Sequence, residues 1–181
     1  DDGMECDVFS ALPALQLFAE HAYADEPSHE RLMEGFRGSC NADFDAWVKA
    51  SELDCVPGVV QPELCDESVS KWLLWQDTLL GMMEPRAEGL QLREHYAALA
   101  RSLFDMAEKD AESHRLRFPA YIAKTLSLKC ELRRELAAAY AAGDKAVMRR
   151  IMNDDLAKLR EAATALWKCH REMWLRTYKP F

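Results

Sequence analysis

Hydrophobic residues recur every three or four positions in the first part of the chain, which is the spacing of an amphipathic helix. The recurring positions within residues 8–23 are Phe9, Leu12, Leu15, Phe18, Ala19 and Ala22. Pro13 falls inside this pattern and is compatible with a helix only near its start, where a missing N–H breaks no hydrogen bond. The spacing therefore predicts one helix over residues 8–23, with Pro13 in or near its first turn.

Capping residues predict two further short helices before residue 51. Ser28 is a suitable N-cap for the first, which Gly38 would end, and Asp43 is a suitable N-cap for the second. Residues 54–70 contain Pro and Gly without a sustained period, so we predict a loop there. The apolar clusters at 72–75 and 79–80 are more typical of a short helix or an irregular segment than of a strand.

Long amphipathic helices are predicted from residue 89 onward. The second of them can begin at Pro119, and Gly143 followed by Asp144 predicts a helix end and a new N-cap. Short connections between long helices imply an antiparallel bundle of three, with Leu132 and Leu159 buried. The three inward stripes are Leu92, Tyr96, Leu99, Leu103 and Met106; Tyr121, Leu128, Leu132, Leu136 and Tyr140; and Val147, Met148, Ile151, Met152, Leu156, Leu159, Ala163, Leu166, Trp167 and Trp174.

Length and composition fit this helical interpretation. The chain has 181 residues, 49% of them hydrophobic, which suffices for one domain or slightly more with a sizeable core. No apolar run approaches the roughly 20 residues that cross a bilayer, and the first residues lack a signal-peptide pattern. We therefore expect a soluble protein with no membrane partner.

Charge is unevenly distributed along the chain. Residues 1–88 contain five basic and 19 acidic residues, a net charge of −14, which argues against a nucleic-acid surface there. The excess of positive charge after residue 143 is small, and these basic residues alternate with acids as on a solvated helix face. A nucleic-acid partner is thus the less favoured interpretation of Arg149, Arg150, Lys158, Arg160, Lys168, Arg171 and Arg176.

Candidate metal ligands are scattered. Glu26 and His29 have the E-x-x-H spacing of di-iron proteins, but such a site needs a matching pair on a facing helix. We predict no metal site and no cofactor, because the cysteines also lack zinc-site spacing. The cysteines are expected to be reduced or buried, which favours a cytoplasmic protein. They are Cys6, Cys40, Cys55, Cys65, Cys130 and Cys169.

Three segments, in order along the chain, carry a family resemblance. The N-terminal D-D-G-M-E at residues 1–5, with L-P-A-L-Q-L-F-A at 12–19, resembles the W-G-D-D-G-x-E strand end and following helix of bacterial glycoside hydrolase family 20 enzymes. S-K-W-L-L-W-Q-D at 70–77, with L-L-G at 79–81, is similar to an S-K-Y-L-L-W-Q-D-x-L-L-G stretch of the same subfamily. W-L-R-T-Y-K-P-F at 174–181 is similar to its W-L-x-x-x-K-P-F, which continues into a strand.

The resemblance implies a parent enzyme that is an exo-acting β-N-acetylhexosaminidase. In that family a Glu protonates the leaving oxygen, while the substrate's own 2-acetamido carbonyl attacks the anomeric carbon and an Asp orients that group. This Asp–Glu pair would precede residue 1, so we expect no catalytic residue in the chain. Asp154 and Asp155 are adjacent carboxylates, but they flank no recognisable sugar site.

The resemblance also supplies candidate substrate contacts. Asp1 matches the Asp of W-G-D, which lies at the mouth of the catalytic barrel and accepts hydrogen bonds from hydroxyls of the non-reducing sugar. Asp2 and Glu5 are weaker candidates, since they suit a role in opposing the dipole of the following helix. Trp72 and Trp75 have rings that can stack on a sugar, but their apolar neighbours favour packing in the core.

The resulting prediction is a mainly α chain: the end of a (β/α)8 barrel, with its last strand, loop and helix, followed by an antiparallel helical bundle. We expect residues 1–25 to end the catalytic barrel, residues 26–88 to form short helices and loops beside it, and residues 89–181 to form a three-helix bundle truncated at its end. The expected partners are a glycan containing N-acetylhexosamine, bound through the parent, and the remainder of the barrel. The alternative is a free-standing helical interaction module without enzymatic activity.

Overall fold

The computed structural model describes residues 8–53, 56, 58, 68–81, 87, 89–110 and 112–179. These residues contain helices and no strand, in agreement with the prediction of a mainly α chain. A 3₁₀ turn at Val8–Ala11 leads into α1 (Leu12–His21), α2 (His29–Cys40), α3 (Phe44–Ala50), a 3₁₀ turn at Ser51–Leu53, α4 (Val69–Trp75), α5 (Leu92–Ala107), α6 (Ser113–Lys129), α7 (Leu132–Ala141), α8 (Lys145–Arg150), a π turn at Ile151–Asp155 and α9 (Leu156–Thr177).

The predicted N-caps are confirmed by hydrogen bonds from the first turns. The Ser28 hydroxyl accepts from the Arg31 N–H at the start of α2, and the Asp43 carboxylate accepts from the Ala46 N–H at the start of α3. The predicted end of α2 at Gly38 is wrong, because the helix continues to Cys40. It ends where Asn41 adopts a left-handed conformation with φ 52°, which Asn tolerates better than most residues.

Helix α4 replaces the end of a predicted loop. The loop prediction for residues 54–70 is wrong at its C-terminal end, because Val69 and Ser70 already belong to this helix. The Ser68 hydroxyl accepts from the Lys71 N–H and supplies the N-cap. Most of residues 54–67 lie outside the described part of the chain. The helical alternative for the 72–75 cluster is correct.

The bundle is built from α5, α6 and α9, with α6 packed against both of the others. The short connection between α5 and α6 makes these two helices antiparallel. Phe118 near the start of α6 lies 5.2 Å, ring to ring, from His170 near the end of α9, so α6 and α9 are antiparallel as well. The predicted antiparallel bundle is confirmed.

The second long helix differs from its prediction at both ends. It begins at Ser113 rather than at Pro119, because burial of Leu116 and Phe118 offsets the hydrogen bond that an internal proline removes. It ends at Lys129, and the chain turns at Glu131 before α7 begins. This turn brings Glu131 and Glu135 to the guanidinium of Arg93 on α5.

The third predicted stripe is wrong at four positions. Met152, Leu156, Ala163 and Trp167 are exposed, contrary to that prediction, whereas Leu159 and Leu166 lie inward as predicted. Between α8 and α9 the N–H of Leu156 donates to the carbonyl of Ile151, five residues earlier, as in a π turn. The inward positions of α9 are Leu159, Ala162, Leu166, Cys169 and Met173, of which Ala162 and Met173 are fully buried.

Two hydrophobic clusters share helix α6. The larger one fills the space between α4, α5, α6 and α9, where Leu73, Tyr96, Leu103 and Leu126 are fully buried. The smaller one joins α2 and α3 to the start of α6 through Phe36, Trp47 and Leu116, and Phe9 and Leu12 pack against its edge. Helix α6 thus connects the segment around α1 with the bundle.

Truncating Leu132 to Ala is expected to lower the free energy of unfolding by about 2–5 kcal/mol, because a fully buried side chain leaves a cavity. Leu132 is 2% exposed, whereas Leu159 is only half-buried, so Leu159→Ala should cost distinctly less. Denaturant unfolding of both variants measures the two free energies. A larger loss for Leu159→Ala would contradict this core.

Candidate functional site

The three predicted sugar contacts, Asp1, Asp2 and Glu5, lie outside the described residues. Their part in binding stays a prediction. The described element nearest to them in sequence is the 3₁₀ turn at Val8–Ala11, followed directly by α1. The structure therefore describes only the turn and the helix that follow these residues in the chain.

The polar side of α1 faces the rest of the protein. Glu20 lies 3.0 Å from the guanidinium of Arg31 on α2, and its carboxylate also accepts from the Gln16 amide at 3.1 Å. The Gln16 carbonyl oxygen lies 3.5 Å from the Ser39 hydroxyl. A Cβ at Gly35 would lie 2.6 Å from the Gln16 amide nitrogen, so a larger residue there would require the end of the Gln16 side chain to move.

The apolar side of α1 faces solvent. Leu15 is 56% exposed, Phe18 is 77% exposed, and Tyr23 in the turn after the helix is 84% exposed. Positions 11, 15, 18 and 22 share one face at helical spacing, and no residue of α1 is fully buried. We call the surface formed by Leu15, Phe18 and Tyr23 the outer face of α1.

This orientation is the reverse of the usual one. A surface helix of a folded domain normally buries its apolar stripe and exposes its polar residues. Exposed contiguous apolar surface on a soluble domain is typical of an interaction site. The outer face of α1 therefore has the character of an interaction surface.

The N-terminal end of α1, which we call its base, is held by the guanidinium of Arg115, which lies near two aromatic rings. The guanidinium carbon of Arg115, on α6, lies 3.9 Å from the ring centroid of Phe9 and 5.6 Å from that of Trp47 on α3. The Arg115 Nε also lies 3.8 Å from the Glu112 carboxylate. Distances below about 6 Å favour attraction between a cation and the face of an aromatic ring.

A second exposed apolar group follows α4. Trp75 is 70% exposed, so the prediction that it packs in the core is wrong, whereas Trp72 is half-buried. The backbone here is fixed by two cations, since Lys129 donates to the carbonyls of Leu74 and Gln76, and Arg133 donates to that of Leu79 at 3.0 Å. The chain leaves the helix at Gln76, whose carbonyl is one of these acceptors.

The charged side chains around this turn, Asp77 and Lys129, have a structural role. The N–H groups of Leu79 and Leu80 donate to the Asp77 carboxylate and lower its pKa. Burial lowers the pKa of Lys129, and Asp77 acts in the opposite direction. The buried ammonium is satisfied by backbone carbonyls, so it holds the turn and is not poised for proton transfer.

Two of the described cysteines, Cys130 and Cys169, are not equipped for nucleophilic chemistry. Cys40, Cys130 and Cys169 are free thiols. Burial raises the pKa of Cys130 to about 12 and that of Cys169 to about 11. A thiol with so high a pKa carries almost no thiolate at neutral pH, and the thiolate is the reactive form.

The remaining charged residues that were candidates for a functional site do not lie together. His29 of the E-x-x-H spacing pairs with Asp45 at 3.1 Å, and Asp155 pairs with Arg150 at 3.3 Å. Among the described residues, no three His, Cys, Asp or Glu side chains are arranged to hold a metal ion. The seven basic residues considered for a nucleic-acid surface, from Arg149 to Arg176, are all exposed, as expected of a solvated helix face.

Sequence reasoning missed Arg115 and the orientation of α1. Arg115 has no motif around it, and its partner Phe9 is more than a hundred residues away. Gln16 and Glu20 do form a polar pair at positions i and i+4 within an apolar helix. That spacing was a signal of a polar face, but it does not indicate which face meets the domain.

Comparison with known proteins identifies the family. A family model described as the Glycoside Hydrolase 20C C-terminal domain matches residues 45–181. No curated protein matches the chain. The match begins inside α3, so α1 and α2 precede it, and it includes Arg115. Among the described helices, none combines the length with the hydropathy that a bilayer-spanning segment needs.

Proposed function

The chain belongs to the Glycoside Hydrolase 20C C-terminal domain family, and from this membership we propose that it is the C-terminal part of an exo-acting β-N-acetylhexosaminidase. The parent removes terminal N-acetylhexosamine from glycans by retaining, substrate-assisted catalysis. Its catalytic Asp–Glu pair belongs to the preceding catalytic part. The present chain supports that part and contributes no catalytic residue.

The family match is the observation that carries this proposal. It covers about three quarters of the chain, and it includes two of the three segments that resemble family 20 in sequence. The third segment, at residues 1–19, precedes the match, as expected if it ends the catalytic part. The free thiols of the described residues support a reducing, cytoplasmic location of the parent.

The outer face of α1 supports a catalytic part as the partner of this domain. Leu15 and Phe18 are exposed although the polar side of their helix is packed on α2. The helix lies directly after the segment that resembles a strand end of the barrel. In a barrel of alternating strands and helices, each helix packs its apolar face on the strands. The outer face is thus the surface that the rest of the barrel covers.

The intact parent is expected to hydrolyse an aryl N-acetyl-β-glucosaminide, and the purified 181-residue chain is expected not to. The physical reason is that the chain contributes neither the acid nor the acetamido-orienting carboxylate. Release of the aryl group, followed by absorbance, measures both activities. A preparation of the parent purified identically but carrying a substitution in its Asp–Glu pair controls for contaminating hydrolase.

Two outcomes would contradict the proposal. Turnover by the chain alone would place the catalytic residues within it. A parent that releases no N-acetylhexosamine from any substrate would favour the alternative of a helical interaction module, whose partner would then bind the outer face of α1.

Asp1 is proposed to accept hydrogen bonds from hydroxyls of the terminal sugar in the parent, with Asp2 and Glu5 as weaker candidates. Removing a charged hydrogen-bond partner costs about 1.5–3 kcal/mol, so Asp1→Ala should lower kcat/KM by roughly 10- to 150-fold. A substrate analogue that lacks the contacted hydroxyl should lose far less, because it makes no such bond. Steady-state kinetics on both substrates measure the difference.

Asp25 offers a matched control for this substitution. It is an exposed acid in the turn after α1, so Asp25→Ala removes the same charge from the surface without removing a sugar contact. Its kcat/KM should stay within twofold of the parent's. Equal losses on both substrates for Asp1→Ala, or no loss on either, would show that Asp1 is not a sugar contact.

A further inference from the structure

One side of helix α9 is lined by cations. Arg160, Lys168 and Arg171 are exposed, and none of them takes part in an ion pair between described side chains. Arg93 and Arg150, by contrast, are each paired with two acids. Positions 160, 164, 167, 168 and 171 recur at helical spacing, so their side chains share one side of α9. The three charges are therefore available to a ligand.

A shallow groove lies along this side of the helix. Its volume is about 300 Å³, and it is lined by Arg160, Glu161, Thr164, Ala165 and Lys168. Arg160 and Lys168 are eight residues apart, which is about 12 Å along the axis of a helix. The Thr164 hydroxyl donates to the Arg160 carbonyl at 2.7 Å, so its lone pairs remain able to accept a hydrogen bond. The groove thus has two cations with hydrogen-bonding groups between them.

The indole of Trp167 adds an aromatic ring to the same side of α9. Trp167 follows Thr164 by three positions and is 59% exposed, although its place in the sequence pattern predicted an inward orientation. An exposed indole combines a large apolar face with a polar N–H, and the C–H face of a sugar ring can stack on it. We call the groove and this indole together the basic groove of α9.

The mixture of charges in the basic groove favours a glycan with few negative charges over a nucleic acid. Glu161 lines the groove and Glu172 is exposed four positions after Lys168, so a chain of phosphates would meet two carboxylates. Nucleic acids are bound by many cations at once, and single strands by several stacked rings. The hydroxyls of a sugar, by contrast, can donate to Glu161 and accept from Arg160 or Lys168. A carboxylate or sulfate on that sugar would balance the excess of positive charge.

We propose that the basic groove of α9 binds an acidic glycan, which is a chain of sugars that carries carboxylate or sulfate groups. The indole of Trp167 stacks on a sugar ring, and Arg160 and Lys168 pair with the anionic groups. Arg171, four positions after Trp167, adds to the same positive field. The choice of a glycan rests on the proposed function, since glycans are the compounds that the parent meets. The inference goes beyond that function because it gives the family domain a ligand of its own.

Calorimetric titration of the 181-residue chain tests the class of ligand. A hyaluronan tetrasaccharide, which carries carboxylates, and a chondroitin sulfate tetrasaccharide, which also carries sulfates, should bind with a Kd of about 0.1–1 mM at low ionic strength, as expected of a shallow site. Chitotetraose, a neutral chain of N-acetylglucosamine, should bind about 2- to 30-fold more weakly, because it forms neither ion pair. Tighter binding of chondroitin sulfate than of hyaluronan would identify sulfate as the preferred anionic group, and equal binding would identify the carboxylate.

Substitutions in the basic groove test its place on α9. Trp167→Ala should raise the Kd for hyaluronan by about 2- to 12-fold, the range for loss of one aromatic contact. Arg160→Ala and Lys168→Ala should each raise it by about 1.5- to 5-fold, the range for one exposed ion pair. The latter two changes should leave the Kd for chitotetraose nearly unchanged, because that sugar carries no anionic group.

Lys158 supplies the matched control for charge. It is exposed on the same helix two residues before Arg160, a spacing that places it about 200° around the axis from Arg160. Lys158→Ala removes the same charge from α9 without changing the groove, so the Kd for hyaluronan should stay nearly unchanged. Trp75→Ala, which removes an exposed indole of α4, should be equally neutral. Denaturant unfolding should be similar for all these variants, because substitutions of exposed side chains have small effects on stability.

Four results would overturn the proposal. The first is equal binding of chitotetraose and hyaluronan, and the second is absence of binding by both acidic tetrasaccharides. The third is an equal loss for Lys158→Ala and Arg160→Ala, which would indicate a diffuse field. The fourth is tighter binding of a DNA duplex with a steep salt dependence, which would assign the cations to nucleic acid. These titrations measure no hydrolysis, so a parent without hydrolase activity would overturn the proposed function and leave the binding result in place.

Discussion

The burial of helix α6 is the constraint around which the other helices are arranged. Its buried residues are Leu116, Phe118, Pro119, Ala120, Ile122, Ala123, Thr125, Leu126 and Ser127, which cover more than half of its circumference and leave Arg117 and Lys124 exposed on the remaining side. A helix with so wide a buried face must have several neighbours. Helices α5 and α9 cover most of it, α3 lies near its first half, and α4 and α7 lie near its end. Arg115 and Lys129, close to its two ends, then hold the base of α1 and the turn after α4.

Local chemistry explains which parts of this fold were predictable. The N-caps at Ser28, Asp43 and Asp144 depend on a side chain and an N–H two or three residues away, so the sequence alone suffices to find them. The stripe of α5 was predictable for the same reason, because a regular helix keeps its phase. The prediction failed at Met152, Leu156, Ala163 and Trp167, which are apolar but exposed beside the inward stripe, and at Pro119, where tertiary burial outweighs the local preference.

Predictability of the candidate site was limited by long-range contacts. The resemblance at residues 1–19 indicated Asp1 as a sugar contact and α1 as a barrel helix, but no local pattern shows which side of α1 meets α2. That choice depends on Arg31 and Ser39, both on another helix. The turn after α4 is likewise held by Lys129, which lies more than 50 residues further along the chain. Such contacts are set by packing and not by periodicity.

The two sides of helix α1 thus have different roles. Its polar side packs on α2, and Arg115 of the family domain holds the turn before it. We propose that its outer face contacts the catalytic part of the parent. An apolar surface of this kind is stabilised by burial at roughly 25 cal/mol per Å² of area removed from water, which favours a lasting contact over an occasional one. Under this proposal the chain supports the end of the barrel.

Side-chain labelling with a photo-generated carbene tests this central claim most directly. Leu15 and Phe18 should be labelled strongly in the isolated chain and weakly in the intact parent, because the catalytic part covers the outer face of α1 there. Tyr140, which is exposed on α7, should be labelled equally in both and serves as the internal reference. Equal labelling of Leu15 and Phe18 in the chain and in the parent would contradict the account.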